Sequence, residues 1–316
     1  MNRNFERASQ RPERIDTVII PIAGKGTRLL PTTKAIPKFF QTVGDLPLIQ
    51  YAVEEARRAG IKKFVFVVDD DPLNRELIEK HFLPQEGLEE HLTAKGMLDK
   101  VAEIRRLQLK PEQLAFVVQD KPTGMWDAIE RSRPFITGDA FAVISPDDLI
   151  LPAMAGLPDL IKHHQRGTIT IDVEQTPMED ISKFGVIKYS DAADGTMAIE
   201  DVVEKPPQEE APSDMAIAGR YIFPTSIFEA FTPAVKPSVK NEISLSHAIK
   251  GVSGVIPAYA APIPGTKYDG GSRAGLAMAN MRVYAEDAEI TAAIEKKNRQ
   301  KTRTGKTYRN GLRAVR

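Results

Sequence analysis

The sequence predicts an α/β fold in which a mostly parallel central sheet is flanked by helices on both faces. In the first half of the chain, short apolar runs alternate with amphipathic helical patterns, which is typical of parallel strands joined by helices. In the second half, strand patterns follow one another with fewer helices between them. This half therefore predicts a smaller antiparallel or mixed layer over the first.

Hydrophobic periodicity places each element of the first half. Thr17–Ile22 has the length of a buried strand, and apolar side chains recur at helical spacing over Leu48–Ala59 until Gly60 ends that helix. Later strands are predicted at Lys63–Val68, Leu114–Val118 and Ala140–Ile144, and later helices around Leu73 to Phe82, Gly87–Leu107 and Gly124–Arg133.

The second half is predicted in the same way. Its strands are expected at Thr168–Val173, Val186–Tyr189, Met197–Val203 and Ile217–Phe223, and its helices at Thr225–Phe231, Ser244–Ile249 and Ser272–Ala285. The 316 residues suit one large domain or two ordinary ones. We divide them into a flexible extension at 1–15, a domain at 16–290 with halves at about 16–150 and 151–290, and a basic tail at 296–316.

Composition excludes several classes of protein. The chain has no cysteine, which excludes disulfides and thiolate metal sites, and no apolar run approaches the roughly 18 residues of a membrane helix. The tail carries nine Lys and Arg residues and no acidic residue. We expect this tail to be disordered and to aid solubility rather than to bind nucleic acid. A cytoplasmic protein that does not bind membranes is the expectation.

A glycine loop after the first strand predicts a nucleotide site. Glycines let backbone N–H groups approach an anion, and nearby cations neutralise it. The loop has neither the spacing of a P-loop nor the third glycine of a dinucleotide-binding fingerprint. An ordinary turn is the alternative, but the two cations favour a nucleoside triphosphate. The residues concerned are Ala23, Gly24, Gly26, Arg28 and Lys38.

Two acidic segments are candidates for binding a metal ion. Asp147 follows the strand Ala140–Ile144, and carboxylates at the carboxyl end of a parallel strand face the ligand crevice. Asp269 precedes two glycines. Mg²⁺ binds a few carboxylates together with phosphate oxygens. The residues alone equally suit a solvated turn at Asp147, and on spacing alone a glycine turn at Asp269 is favoured.

Three further segments carry polar groups or glycines at strand ends. Glu204 and Lys205 end a strand before a proline, Gly219 lies within a strand, and Gln119 and Gly124 follow another strand. Taken alone, these are an exposed ion pair, a glycine kink and a polar turn. A glutamine amide can nevertheless donate and accept together, as the edge of a pyrimidine requires.

Together these segments resemble the sugar-1-phosphate nucleotidyltransferases, and among them the bacterial UTP–glucose-1-phosphate uridylyltransferases. The resemblance spans roughly residues 16 to 286 and is strongest from Ile20 to Lys38. It implies a Rossmann-like nucleotidyltransferase fold with a sugar-binding layer, a homodimer or homotetramer, and Mg²⁺-dependent transfer of a uridylyl group from UTP to glucose 1-phosphate.

The resemblance also implies a role for each candidate residue. Arg28 and Lys38 would be catalytic, and Asp147 and Asp269 would bind the metal. The nucleotide would be bound by Ala23, Gly24, Gly26, Gln119 and Gly124, and the sugar phosphate by Glu204, Lys205 and Gly219.

Two departures from the family pattern lie near the expected base site. Trp126 replaces a glycine and Asp127 replaces a histidine. They leave two alternatives open: another nucleotide preference, such as thymidylyl transfer, or a weakly active paralogue that acts as a regulatory subunit.

Overall fold

The computed structural model describes residues 13–152, 154–192, 195–238 and 240–303, with side chains as far as residue 297. The strands are β1 (Thr17–Pro21), β2 (Thr42–Val43), β3 (Leu46–Pro47), β4 (Lys63–Val68), β5 (Leu114–Val118), β6 (Ala140–Ile144), β7 (Asp148–Leu151), β8 (Ile169–Gln175), β9 (Gly185–Asp191), β10 (Met197–Glu204), β11 (Met215–Pro224), β12 (Ala258–Pro262) and β13 (Thr266–Asp269). The helices are α1 (Leu48–Arg58), α2 (Pro72–Phe82), α3 (Glu86–Ala94), α4 (Leu98–Leu107), α5 (Met125–Ser132), α6 (Gly156–His163), α7 (Ile227–Ala230), α8 (Leu245–Gly251), α9 (Arg273–Tyr284) and α10 (Ala288–Arg303).

Nine strands form one central sheet, in the order β5-β4-β1-β6-β11-β8-β12-β10-β9. The four strands of the first half are parallel, with Ile19 of β1 between Val65 of β4 and Val143 of β6. Successive side chains of β1 alternate between two hydrophobic clusters, Ile19 in one and Val18 and Ile20 in the other. The sheet is therefore buried on both faces, which explains why its strands are continuous apolar runs.

The α/β class is confirmed, but the strands of the second half do not form a separate layer. β11 pairs antiparallel with β6 and with β8, so these strands extend the same sheet. Every residue of β11 from Ala216 to Pro224 is buried, as expected of a strand in the middle of a sheet. A smaller two-stranded sheet joins β7 to β13.

Two helical predictions need correction. The single helix predicted over Gly87–Leu107 is two helices, α3 and α4, because the chain turns at Gly96 with a φ of +71°. The tail predicted to be disordered from Lys296 begins inside α10, which continues to Arg303. Lys, Arg, Gln and Glu are good helix formers, so high charge alone did not end this helix. The rest of the tail lies outside the described residues.

Residues 13–15, assigned to the flexible extension, make specific contacts. The Glu13 carboxylate bonds to Nε2 of His164 at 2.9 Å, and Ile15 bridges to Gly138. Residues 1–12 of that extension lie outside the described residues. Within the described part of the chain, none of the helices combines the length and apolar character needed to cross a membrane.

Candidate active site

The glycine loop lies at the carboxyl end of β1. Gly26 has a φ of +64°, and a Cβ there would stand 2.9 Å from Cβ of Lys38, so only glycine fits without strain. A Cβ on Gly24 would meet no atom within 4 Å. The loop is therefore closed on the Lys38 side and open at Gly24, where a ligand can approach the backbone.

Two ion pairs link the cations of this region to the predicted metal ligands. Nη1 of Arg28 lies 2.6 Å from Oδ2 of Asp269, and Nη2 donates to the other oxygen at 3.3 Å. Nζ of Lys38 lies 2.7 Å from Oδ2 of Asp147. The structure thus brings together four predicted residues from three separate segments of the chain.

Gly271 lies where these groups meet. A Cβ at this glycine would stand 2.7 Å from Nη2 of Arg28, 2.9 Å from Oδ2 of Asp147 and 3.0 Å from Oδ1 of Asp269. Its backbone N–H donates to Oδ1 of Asp269 at 2.9 Å. A side chain here would push the arginine and the two acids apart. The sequence signal was the glycine pair after Asp269, but no role was assigned to Gly271.

Strand pairing brings the two acids together. β7 and β13 are antiparallel, and their register places Asp269 opposite Asp148. Asp147 is the residue before β7, and its carbonyl oxygen accepts a bond from N–H of Gly270 at 2.6 Å. Two acids far apart in the sequence thereby become neighbours at the carboxyl end of β6.

The neighbouring carboxyl groups Asp147 and Asp148 have opposite pKa shifts. Burial opposes ionisation of Asp147, but the ammonium of Lys38 and the guanidinium of Arg28 outweigh it and lower its pKa. Burial raises the pKa of Asp148 to about 7, with Lys267 opposing the rise and the charge of Asp147 adding to it. Asp147 is therefore an anion at neutral pH, as a metal ligand must be.

The acid pair fits a magnesium ion bound partly by substrate. Among the described residues, no group of three or more His, Asp or Glu side chains has the arrangement of a complete metal site. Mg²⁺ is commonly held by one or two carboxylates, with phosphate oxygens and water completing the octahedron. Asp147 and Asp269 supply that number of carboxylates.

Glu204 and Lys205 lie at the end of β10. Lys205 has a φ of +48°, an uncommon conformation for a residue with a side chain, and its N–H donates to the carbonyl of Phe184 at 3.0 Å. Its Nζ lies 3.6 Å from Oε1 of Glu204. The other carboxylate oxygen of Glu204 accepts from the Ser246 hydroxyl at 2.7 Å.

Gly219 of β11 lies against the acidic turn at Asp148. Its φ is +105°, and a Cβ would stand 2.6 Å from Oδ2 of Asp148. Burial, together with the carboxylates of Asp148, Asp172 and Glu204, raises the pKa of Tyr221 well above its usual value. Tyr221 therefore lies close to both Asp148 and Glu204, a position that the sequence did not predict.

Gln119, at the end of β5, belongs to a compact polar network. Its Nε2 donates to the Gly124 carbonyl at 3.0 Å and to Oδ2 of Asp127 at 2.9 Å, and it lies 3.2 Å from the hydroxyl of Thr123. Gly124 has a φ of +99°, and a Cβ there would collide with the backbone of Ile243 at 2.4 Å. The structure thus brings Gln119 and Gly124 together, as predicted.

Trp126 does not approach this network. Its side chain is almost fully buried, and its ring meets that of Phe231 edge-on at a centroid distance of 4.9 Å. The phase of α5 therefore directs the indole into the core, toward Phe231. Asp127 does lie next to Gln119, as expected.

Sequence reasoning missed a buried ion pair beneath the acidic turn. Nε and Nη2 of Arg220 donate to the two carboxylate oxygens of Glu55 at 2.9 and 2.8 Å, and Nη1 donates to the carbonyl of Asp148. Glu55 also accepts from N–H of Leu157 at 2.7 Å. Arg220 is the only charged residue of its strand, which is a recognisable sequence signal for a buried partner.

A second ion pair that the sequence did not predict links the glycine loop to the end of β4. Nζ of Lys25 lies 2.7 Å from Oδ2 of Asp69, whose other oxygen accepts from Nδ2 of Asn74 at 2.5 Å. The ammonium and this carboxylate border an open pocket of about 200 Å³ that also includes Gly24 and Lys38. The acidic run after β4 was the available signal.

Comparisons with known proteins match most of the chain. A family model described as nucleotidyl transferase matches residues 17–283. The UTP–glucose-1-phosphate uridylyltransferase YngB of Bacillus subtilis is 34% identical over 285 residues, covering 89% of this chain and 94% of that protein. A UDP-glucose pyrophosphorylase solved in complex with UDP-glucose has a TM-score of 0.73 at 33% identity, covering 86% of this chain and 100% of that one. A UTP-bound enzyme from Acinetobacter baumannii has a TM-score of 0.78 at 28% identity, covering 91% and 99%.

Proposed function

Because this chain belongs to the nucleotidyl transferase family, with relatives named UTP–glucose-1-phosphate uridylyltransferases, we propose that it transfers a uridylyl group from UTP to glucose 1-phosphate. The products are UDP-glucose and pyrophosphate. The observation that carries the proposal is the convergence of Arg28, Lys38, Asp147 and Asp269 beside the open glycine loop. Two cations suit a triphosphate, and two carboxylates suit the divalent ion that accompanies it.

The reaction is an in-line displacement at phosphorus. A phosphate oxygen of glucose 1-phosphate attacks the α-phosphorus of UTP, the new P–O bond forms as the bond to the β-phosphate breaks, and pyrophosphate leaves. A phosphate monoester is largely a dianion at neutral pH, so the nucleophile needs no general base. The protein contributes positioning and charge neutralisation.

Arg28 and Lys38 neutralise the charge that accumulates on the departing pyrophosphate, and the backbone at Ala23, Gly24 and Gly26 cradles the phosphates. In the structure each cation is paired with one of the two acids. A metal ion on these acids would compensate their charge, which would leave Arg28 and Lys38 available to the phosphates.

Asp147 and Asp269 would hold Mg²⁺, which neutralises charge on the reacting phosphates when it is bound. Removal of divalent ions by EDTA should therefore abolish turnover, and excess Mg²⁺ should restore it. As a control, Asp159→Asn, which removes an acid paired with Lys162 on α6, should respond to Mg²⁺ as the wild type does. Full turnover without divalent ions would contradict this assignment.

On the sugar side, Lys205 would bind the phosphate of glucose 1-phosphate, and Glu204 would accept bonds from sugar hydroxyls. Gly219 would contact the sugar through its backbone. The side chain of Lys205 is 63% exposed, so it can reach a ligand without leaving a tight protein partner. The cytoplasmic location and the homodimeric or homotetrameric state implied by the resemblance belong to the same proposal.

One assay tests the substrates directly. Pyrophosphate release should be measured for UTP, dTTP, CTP, ATP and GTP, each with a panel of sugar 1-phosphates. We expect the fastest turnover with UTP and glucose 1-phosphate. Faster turnover with dTTP would favour the thymidylyl alternative, and equal rates with all nucleotides would contradict the assignment of Gln119 and Gly124 to the base site.

A further inference from the structure

Asp127, the acid that departs from the family pattern, touches the residue assigned to read the base. Its Oδ2 accepts from Nε2 of Gln119 at 2.9 Å, from the Thr123 hydroxyl at 2.5 Å and from Nε of Arg131 at 2.8 Å. Burial opposes its ionisation, but the bonds from Thr123 and Gln119 and the charge of Arg131 lower its pKa. Asp127 is therefore an anion that only accepts hydrogen bonds.

The partners of Gln119 fix which end of its amide points inward. The carbonyl of Gly124 and the carboxylate of Asp127 are both acceptors only, so the group that faces them must be the NH₂ donor. The opposite orientation would set the amide oxygen against two other acceptors. Among the described residues, none donates a hydrogen bond to Oε1 of Gln119. This oxygen is also not one of the fully buried polar atoms that lack a partner, so it is not sealed inside the protein.

We propose that Asp127 is a positioning residue that locks the Gln119 amide with its oxygen toward the nucleotide, so that the enzyme selects bases with an imino N–H over cytosine. Uracil and thymine present an N3–H donor to such an acceptor, whereas cytosine presents an unprotonated N3 at the same place. The contact therefore rejects CTP but does not separate UTP from dTTP. This inference rests on the proposed function and on Gln119 as the base-reading residue.

The test is the ratio of kcat/KM for UTP to kcat/KM for CTP, measured at saturating glucose 1-phosphate. In Asp127→Ala only the Gly124 carbonyl still opposes the flipped amide, so that orientation becomes accessible and the ratio should fall by up to about tenfold, the equivalent of one hydrogen bond. The KM for glucose 1-phosphate should not change. Since Asp127 lies in the first turn of α5 and could support folding, Asp127→Ser provides a second variant, too short to reach Nε2 but tolerated near a helix start.

Glu130→Ala is the matched control, because it removes an exposed acid from the same helix that is not bonded to Gln119. Its ratio should equal that of the wild type, and Gln119→Ala should lose the preference for UTP over CTP. Ratios within twofold of the wild type in both Asp127 variants would overturn the inference. If the wild type turns over UTP and CTP equally, or neither of them, the proposed function fails as well, so the two failures are distinguishable.

Discussion

The proposed nucleotide side of the site comprises Arg28, Lys38, Asp147 and Asp269, and the proposed sugar side comprises Glu204, Lys205 and Gly219. The two sides hold their lysines differently. Lys38 is 20% exposed and lies 2.7 Å from Asp147, whereas Lys205 is 63% exposed and lies 3.6 Å from Glu204. A screened, exposed pair contributes little, and a partly buried pair at short range is much harder to separate. The cations of the nucleotide side are thus paired with its own acids. The sugar side leaves Lys205 available to a ligand.

This difference assigns different tasks to the two sides. A triphosphate must compete with Asp147 and Asp269 for Lys38 and Arg28, so its binding depends on something that compensates the acids. A sugar phosphate meets no such competition at Lys205. Divalent ions should therefore lower the KM for UTP strongly and affect the KM for glucose 1-phosphate little.

The largest loss of turnover is expected from Gly271→Ala, which disturbs the nucleotide side. The added Cβ would stand 2.7 to 3.0 Å from the side-chain ends of Arg28, Asp147 and Asp269, so these three groups must shift from their present arrangement. Displacing such preorganised groups costs roughly 10²–10³ in kcat. Gly87→Ala is the control, because its Cβ would enter open space at an ordinary φ on the exposed helix α3. A loss of less than threefold in Gly271→Ala would show that the convergence is not needed for turnover.

An intermediate loss of activity is expected when each of the two lysines is replaced by alanine in turn. Lys38→Ala should impair the use of UTP and Lys205→Ala the binding of glucose 1-phosphate, each by about tenfold to a hundredfold, because a charge-assisted bond to phosphate contributes roughly 1.5–3 kcal/mol. Steady-state kinetics with each substrate varied separate the two. Lys100→Ala, which removes from α4 a lysine about as exposed as Lys205, should change neither constant.

The two-sided description of the site predicts that each lysine variant raises a different Michaelis constant. It would be contradicted if both variants raised the same constant equally. In Lys38→Ala the partly buried carboxylate of Asp147 also loses its cation, so some loss of kcat is expected there in addition. Lys205→Ala leaves Glu204 with its bond from Ser246 and should preserve kcat.

The sequence predicted this site unevenly, for physical reasons. Glycine, cation and acid motifs are local, and with the family resemblance they named Arg28, Lys38, Asp147 and Asp269. The close approach at Gly271 depends on the register of β7 with β13, two strands of only four residues that carry no strong local signal. The direction of Trp126 depends on the phase of a helix that packs against distant aromatic rings.

The same limit applies to the fold. The parallel half was predictable because its buried strands are continuous apolar runs separated by amphipathic helices. Whether the later strands cover that sheet or extend it depends on which edge stays open, and β11 fills the edge beside β6. Arg220 of β11 then brings a charge into the centre of the sheet, where Glu55 compensates it. A charged residue in an otherwise apolar strand was evidence for such a partner.

The smallest effect is expected at Asp172, a buried residue of β8. Burial raises its pKa to about 7, and Arg220, whose N–H donates to Oδ1 at 2.7 Å, opposes the rise. Because the folded pKa lies above the unfolded value of 3.8, the folded state holds this proton more tightly. The resulting stability is complete below about pH 4 and is lost as the pH rises to about 7.

Asp172→Asn removes this titration and keeps an acceptor for the N–H of Arg220. Between pH 5 and 8 the Tm of the wild type should therefore fall by a few degrees relative to that of the variant. In the control Asp201→Asn, the lost carboxyl group has a lowered pKa, caused mainly by its bond from Lys250, so the difference from the wild type should stay flat across this range. Thermal unfolding of all three proteins at each pH decides the matter, and a flat difference for Asp172→Asn would show that this carboxyl group is ionised in the folded enzyme.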